Sequence, residues 1–180
     1  MRARISALLA PGLLMMSGLP ALAEPEMVLL VRHAERAAEP RSDPELTPEG
    51  QARAQALARA LEQAGVTAII TTQFRRTQDT AAPLAAARGL KPEIVEAKRG
   101  EDHVAAVAAA VRRLGGVVLV VGHSNTVPAI AAALSGTPKG ADFCETSYSH
   151  LWVLQGQRLQ HLARARYGAA DAVAPQGACQ

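Results

Sequence analysis

The chain predicts an α/β fold in three layers, an α/β/α sandwich in outline, with helices on both faces of a mostly parallel mixed sheet. Three observations carry that prediction. Residues 28–31 (Val-Leu-Leu-Val) and 117–121 (Val-Val-Leu-Val-Val) are unbroken apolar runs of strand length, the pattern of strands buried on both faces. Between them, helical and strand-like stretches alternate, as parallel βα units do. Two further strand-like runs, 148–154 and 158–167, flank Gln155-Gly156-Gln157, a hairpin signal that adds antiparallel strands late in the chain.

The length of 180 residues suits one domain with a real core. Hydrophobic residues make up 49% but aromatics only 3%, so the core must be built from Ala, Val and Leu. The opening residues have a different character. Arg2 and Arg4 precede a mostly apolar stretch over 5–19, and Ala21-Leu22-Ala23 is a small-residue cleavage pattern. Pro11 and Gly12 interrupt that stretch, which is shorter than the roughly 20 apolar residues a spanning helix needs. Residues 1–23 are therefore expected to be a cleaved signal peptide, with no membrane span in the mature chain and a periplasmic or secreted location. Residues 24–168 form the expected folded domain, and 169–180 a small, polar, flexible tail. Loss of Arg2 and Arg4 lowers the formal charge from +3 to +1, too mild for a nucleic-acid partner. Cys144 and Cys179 would meet an oxidising environment after export; they either bridge, tying down the tail, or leave Cys179 in a loose end.

In order, the first strand ends abruptly in Arg32 and His33. Residues 37–44, rich in Pro and charge, read as a loop. Thr47 is a good N-cap for a helix with Pro48 at its first position and Glu49 in its first turn, running to about Ala64 and stopped by Gly65. Residues 66–71 form a short second strand. A polar turn then leads into an Ala-rich helix that begins at Arg75 and Arg76, where cations oppose the helix dipole and so suggest an anion nearby. Residues 91–97 read as a weaker strand, 98–103 as a charged loop, and 104–114 as an amphipathic helix closed by Gly115-Gly116. The strand at 117–121 delivers Gly122, His123, Ser124 and Asn125, and a helix follows over 124–134.

In sheets of this kind ligands sit beyond the carboxyl ends of the strands, which is where both His33 and His123 fall. Two arginines and two histidines with no metal-binding pattern describe a site for a tetrahedral dianion. Arginine forks match phosphate oxygens, and a neutral imidazole there can attack phosphorus. A carboxylic acid would then protonate the leaving oxygen. His103 beside Asp102 lacks the paired Asp or His-x-His spacing of a metal site, so no metal or other cofactor is expected. His150 and His161 fall within the hairpin strands, where structural or surface roles are expected.

The same residues resemble a known family. Arg32-His33-Ala34-Glu35-Arg36 resembles the RHG/RHAE signature of the histidine phosphatase (phosphoglycerate mutase-like) superfamily. Leu46-Thr47-Pro48-Glu49-Gly50 is similar to its second block, Arg76-Thr77-Gln78-Asp79-Thr80-Ala81 to its R[AT]xxTA block, and Val121-Gly122-His123-Ser124-Asn125-Thr126 to its second-histidine block. The resemblance runs from about Met27 to Tyr167 with the four blocks in family order. It implies a phosphohistidine intermediate on His33, a phosphate pocket of Arg32, Arg76 and His123 extended by Ser124 and Asn125, a mutase-like α/β sandwich, and no metal. Ala34 stands where glycine is commoner, as in small bacterial members. Arg36 and Glu39 replace the Ser and Asn of the mutases, which argues against a sugar-phosphate mutase. The segment that supplies a glutamate acid in many members corresponds to residues 96–102, with Glu101 first and Asp102 second as candidates. Ser124-Asn125 after His123 excludes the His-Asp pairing of the acid phosphatase branch.

The expected function is thus an exported, metal-independent phosphomonoesterase acting on a phosphorylated small molecule or an envelope phosphosugar. The alternatives are a phosphohistidine-protein phosphatase of the SixA type and a non-catalytic phosphate-binding module. Retention of both histidines and both arginines favours catalysis, since binding alone needs no nucleophile.

Overall fold

The computed structural model describes residues 25–98 and 101–173. The expected signal peptide, residues 1–23, and Cys179, whose bridge to Cys144 the sequence leaves open, lie outside the described residues.

Ten elements follow one another as β1 (Pro25–Arg32), α1 (Pro48–Ala60), β2 (Ala68–Thr71), α2 (Arg75–Arg88), β3 (Glu93–Ile94), α3 (Glu101–Leu114), β4 (Gly116–Gly122), α4 (Thr126–Ser135), β5 (His150–Gln155) and β6 (His161–Arg166). The sheet runs β3-β2-β4-β1-β5-β6. The first four strands are mutually parallel, while β5 is antiparallel to β1 and to β6. This is the predicted mixed α/β sandwich.

The unbroken apolar runs are explained by burial on both sides. In β1, Val28 and Leu30 pack with Val107 and Val111 of α3 and Ile130 of α4. Leu29 and Val31, pointing the other way because successive side chains alternate, pack with Leu57 of α1 and Leu84 of α2. β4 divides in the same manner, Val118 and Val120 to one face and Leu119 and Val121 to the other. Complete burial of a Val or Leu side chain contributes about 1.5–3 kcal/mol, so β1 and β4 anchor the sheet.

The register of this central pair positions the site. Arg32 at the end of β1 lies opposite Gly122 at the end of β4, so the next residues, His33 and His123, emerge side by side. The His33 amide donates to the Gly122 carbonyl at 2.9 Å.

Several boundaries differ from expectation. The strand at 91–97 shrinks to Glu93–Ile94, because it is an edge whose neighbour β2 offers only Ile70 and Thr71 to pair with. The charged stretch before residue 104 is no loop at its end. Glu101 and Asp102 occupy the first turn of α3, where carboxylates favour the positive end of the dipole. α4 begins at Thr126, leaving Ser124 and Asn125 in the preceding turn. The hairpin turn is longer than three residues. Gly156 has φ 82°, and Arg158 and Leu159 follow in left-handed backbone within a short 3-10 turn, which places Leu159 in the core. Residues 169–171, read from the sequence as the start of a loose tail, are bonded into the domain. Arg53 Nη1 donates to the Ala169 carbonyl at 2.9 Å, and Asp171 accepts from the amides of Tyr148 and Ser149 at 2.8 and 2.7 Å.

Candidate active site

Arg32 and His33 are buried, with only 2% and 4% of their surfaces exposed. His33 Nδ1 lies 2.8 Å from the Ala34 carbonyl oxygen. A carbonyl only accepts, so Nδ1 carries the ring proton and Nε2 presents its lone pair. Burial chiefly, together with the charges of Arg32, His123 and Arg76, pushes the His33 pKa from 6.5 down to about 2, against an upward pull from the Ala34 carbonyl. The nucleophilic nitrogen is therefore unprotonated in the free protein without a separate base.

The His123 ring meets His33 edge-on, centroids 5.5 Å apart. Its Nε2 is 3.2 Å from Thr72 Oγ1, and Phe74 packs edge-on from the far side at 5.7 Å. Burial, then Arg76, His103 and Arg32, lowers its pKa to about 3. Both imidazoles are thus held neutral by desolvation and by cations whose donors lack a full set of acceptors, an arrangement suited to a ligand that brings negative charge.

The arginines confirm that lack. Arg76 stands in the first turn of α2, its guanidinium 4.2 Å above the Phe74 ring. Burial and the guanidiniums of Arg36 and Arg32 push its pKa down, with Asp43 opposing. Its Nε and that of Arg32 are buried donors without a partner, a costly state unless an acceptor completes it. The neighbouring Arg75 is spent elsewhere: its amide donates to Asp43 and its side chain pairs with Glu45 at 2.7 Å. The structure thus engages Arg75 with acidic side chains and leaves Arg76 without an ion pair among the described residues. Arg76→Ala is expected to raise KM and lower kcat together, because the guanidinium holds the phosphoryl oxygens before and during transfer. An effect on KM alone would deny it a transition-state role.

The catalytic loop is clamped from two sides. The Ala34 amide donates to Thr80 Oγ1 at 2.9 Å, and Thr80 Oγ1 donates to the Arg76 carbonyl. The start of α1 supplies the second clamp. Thr47 caps the helix by accepting from the Gly50 amide at 3.2 Å, as predicted, while its own amide donates to the Glu35 carbonyl at 3.0 Å. A side chain at Gly50 would collide with that same carbonyl, which accounts for the glycine. Arg53, one turn on, holds the Glu35 carboxylate through Nε at 2.9 Å and Nη2 at 2.7 Å.

Other expected residues are placed as follows. Ser124 is half-buried, and its carbonyl accepts from the Phe143 amide at 3.0 Å. Asn125 is exposed ahead of α4 and makes no capping bond with its side chain. Glu101 and Asp102 are exposed on α3, and among the described residues Glu101 forms no hydrogen bond or ion pair. His103 is buried, with Nδ1 2.9 Å from the Glu96 carbonyl. No group of three His, Cys, Asp or Glu side chains is placed to hold a metal among the described residues.

Two residues not expected from the sequence complete the site. The Tyr148 ring lies 4.3 Å from the Arg32 guanidinium and 6.2 Å from His33. Burial raises its pKa, opposed by Arg32, so the phenol is a donor at neutral pH. Glu145 Oε2 accepts from Arg32 Nη2 at 3.0 Å. Glu145 lies in a stretch without an element signal of its own, and Tyr148 opens the strand-like run 148–154.

The depressed histidines make stability pH-dependent. The unfolded chain binds protons at 6.5, whereas folded His33 and His123 do so near 2 and 3. Their contribution is full above pH 6.5 and is lost as pH falls, by about 1.4 kcal/mol per histidine for each pH unit lower. The free protein should therefore melt earlier at pH 5 than at pH 7.5, and His123→Gln should flatten that dependence. An unchanged slope in the variant would show that His123 is not held neutral.

An α/β sandwich with two neutral imidazoles and two buried arginine Nε donors without partners among the described residues, all at its strand ends, points to a phosphate-handling enzyme. The sequence model of the histidine phosphatase superfamily (branch 1) matches residues 28–103, which span the first signature and the Arg76 block. Over those residues the chain is similar to the histidine phosphatase superfamily, and the match supports a phosphatase. No curated protein matches it in sequence. Solved structures share its fold. One is a mycobacterial glucosyl-3-phosphoglycerate phosphatase in complex with inorganic phosphate, 19% identical, with a TM-score of 0.58, covering 82% of this chain and 97% of that one. Another is the protein histidine phosphatase SixA complexed with tungstate, 18% identical, with a TM-score of 0.61, covering 78% and 95%.

Proposed function

We propose that the chain is an exported, metal-independent phosphomonoesterase that forms a phosphohistidine on His33. The observation that carries this is the His33 Nε2 lone pair beside two buried arginine Nε donors without partners. Arg32 and Arg76 would hold the phosphate dianion, and Nε2 attacks phosphorus in line with the ester oxygen. The N–P bond forms as the P–O bond breaks, and the alcohol leaves with a proton from an acid. His33 keeps its Nδ1 proton throughout, and the Ala34 carbonyl supports the imidazolium character of the intermediate. Water then attacks phosphorus, the N–P bond breaks, and inorganic phosphate departs as the neutral imidazole returns.

The substrate class is a phosphorylated small molecule, with an envelope phosphosugar the choice that follows from the export reading. A second reading, dephosphorylation of a phosphohistidine protein, is favoured by one observation: Glu101, the expected acid, contacts neither histidine. An imidazole leaving group already carries positive charge on nitrogen and needs less help from an acid than an alkoxide does.

The test is p-nitrophenyl phosphate hydrolysis by the mature chain with and without EDTA, alongside rapid quench with labelled substrate. Activity that survives EDTA, with an acid-labile and alkali-stable label on the protein, is the expected result. Activity lost to EDTA would replace this reading with a metal-dependent one. Fractionation of cells expressing the full chain tests export.

A further inference from the structure

The site as described has a nucleophile and a cradle but no proton donor where the family resemblance placed one. Its carboxylates differ in what holds them. Glu35 is held by Arg53, Asp43 by the Arg75 amide and Glu45 by the Arg75 side chain. Glu145 is different: it is bonded directly to a phosphate-holding group, Arg32, at 3.0 Å, and it remains 76% exposed while that arginine is buried.

The chain beneath Glu145 is fixed in place. Arg32 Nη1 donates to the carbonyls of Cys144, Glu145 and Ser147 at 2.7, 3.1 and 3.3 Å. One buried guanidinium therefore seats the whole turn, and the Glu145 side chain stands at the solvent side of the pocket with its backbone immobilised. His33 lies at the buried side. In-line displacement sets the leaving oxygen opposite the attacking nitrogen, hence toward the mouth where Glu145 stands.

We infer that Glu145 is the general acid and base of the reaction, parked on Arg32 until substrate takes its place. The assignment rests on the phosphohistidine reading above. An arriving phosphate dianion claims the Arg32 Nη2 that the carboxylate occupied, and two negative groups side by side favour a proton on the carboxylate. Glu145 then gives that proton to the ester oxygen as the P–O bond breaks and the bond from His33 Nε2 to phosphorus forms. The resulting carboxylate takes a proton from the water that attacks the phosphohistidine. Phosphate leaves, His33 returns neutral, and Glu145 returns to Arg32 once its proton is released to solvent.

The measurement is a leaving-group comparison of Glu145→Gln with the unmodified protein, on p-nitrophenyl phosphate and on benzyl phosphate. A nitrophenolate leaves unaided, whereas a benzyl alkoxide needs the acid. The expected result is a fall of about 10²-fold or more in the rate of phosphohistidine formation from benzyl phosphate, read by rapid quench and in line with general-acid contributions, with little change in that rate from p-nitrophenyl phosphate. The decline of that rate at high pH on benzyl phosphate should disappear as well. Glu145→Asp, which keeps the carboxyl group, should restore part of the benzyl phosphate rate. An equal loss of that rate on both substrates, or a gain in kcat/KM on both, would overturn the assignment and leave Glu145 as a support or a cover for Arg32. A selective loss in Glu101→Gln instead would also overturn it. If the unmodified protein forms no phosphohistidine and cleaves neither ester, the reading of the site falls and takes the assignment with it. An active protein indifferent to Glu145→Gln removes the assignment alone.

Discussion

His33→Ala is expected to lower turnover of p-nitrophenyl phosphate by at least about 10³-fold, the scale on which removing a covalent nucleophile acts. Backbone register sets His33 beside His123, and the Ala34 carbonyl fixes the proton on Nδ1. A protonated imidazole could not attack, and burial with three nearby cationic or titratable neighbours keeps the ring neutral, its pKa near 2. The acid limb of kcat/KM should therefore fall well below 6.5, unlike that of an exposed histidine. The variant should still fold, because alanine removes a desolvated ring and leaves Arg32, Thr80 and the β1–β4 ladder in place. It should also stay able to bind phosphate through Arg32 and Arg76. Added imidazole, entering the space vacated by the ring, should restore part of the rate. Substantial activity in His33→Ala without imidazole would rule out a covalent phosphohistidine at this position.

Much of this site was legible in the sequence because its parts are local. The apolar runs of β1 and β4 are continuous since both faces of each strand are buried, and each run ends on the residue that carries chemistry. Arg76 could be picked from its block, and the structure distinguishes the two arginines: Glu45 pairs with the Arg75 side chain, while Arg76 Nε is buried without a partner among the described residues. The less legible residues depend on contacts across the chain. Glu145 and Tyr148 reach Arg32 from more than a hundred positions away, and the loop that bears them has no periodicity to announce a site. Glu101 was approached through its neighbourhood in sequence, but α3 starts there and turns it to solvent. The two-residue β3 was overestimated because an edge strand is only as long as its partner permits. Arg53 looked like one more charge on an alanine-rich helix, with nothing local to show that it is buried.

Arg53→Ala is expected to cost about 3–5 kcal/mol of stability, the range for removing one partner of a buried ion pair. Only 4% of Arg53 is exposed, and its fork serves two parts of the chain at once. Nε and Nη2 hold the Glu35 carboxylate behind the catalytic loop, while Nη1 donates to the carbonyls of Tyr167 and Ala169 at 3.2 and 2.9 Å. Burial alone would push its pKa down, yet the hydrogen bonds and charge of Glu35 outweigh that and hold it up. Alanine would leave Glu35 partly buried without its cation and two carbonyls without a donor. Lysine should rescue little, since a single ammonium cannot span both directions of the fork. The damage should extend to catalysis at temperatures where the protein remains folded. Segment 167–171 would loosen, and Asp171, which accepts from the Tyr148 and Ser149 amides, from Ser149 Oγ at 2.8 Å and from Arg166 at 2.9 Å, would no longer fix Tyr148 beneath Arg32. Urea denaturation should show a large fall in midpoint, and kcat should fall in step with a rise in KM for phosphate esters. A loss below about 1 kcal/mol, the level of an exposed ion pair, would show that Arg53 is not the clamp its hydrogen bonds describe. In that case the hold on the catalytic loop would pass to Thr47 and Thr80 alone.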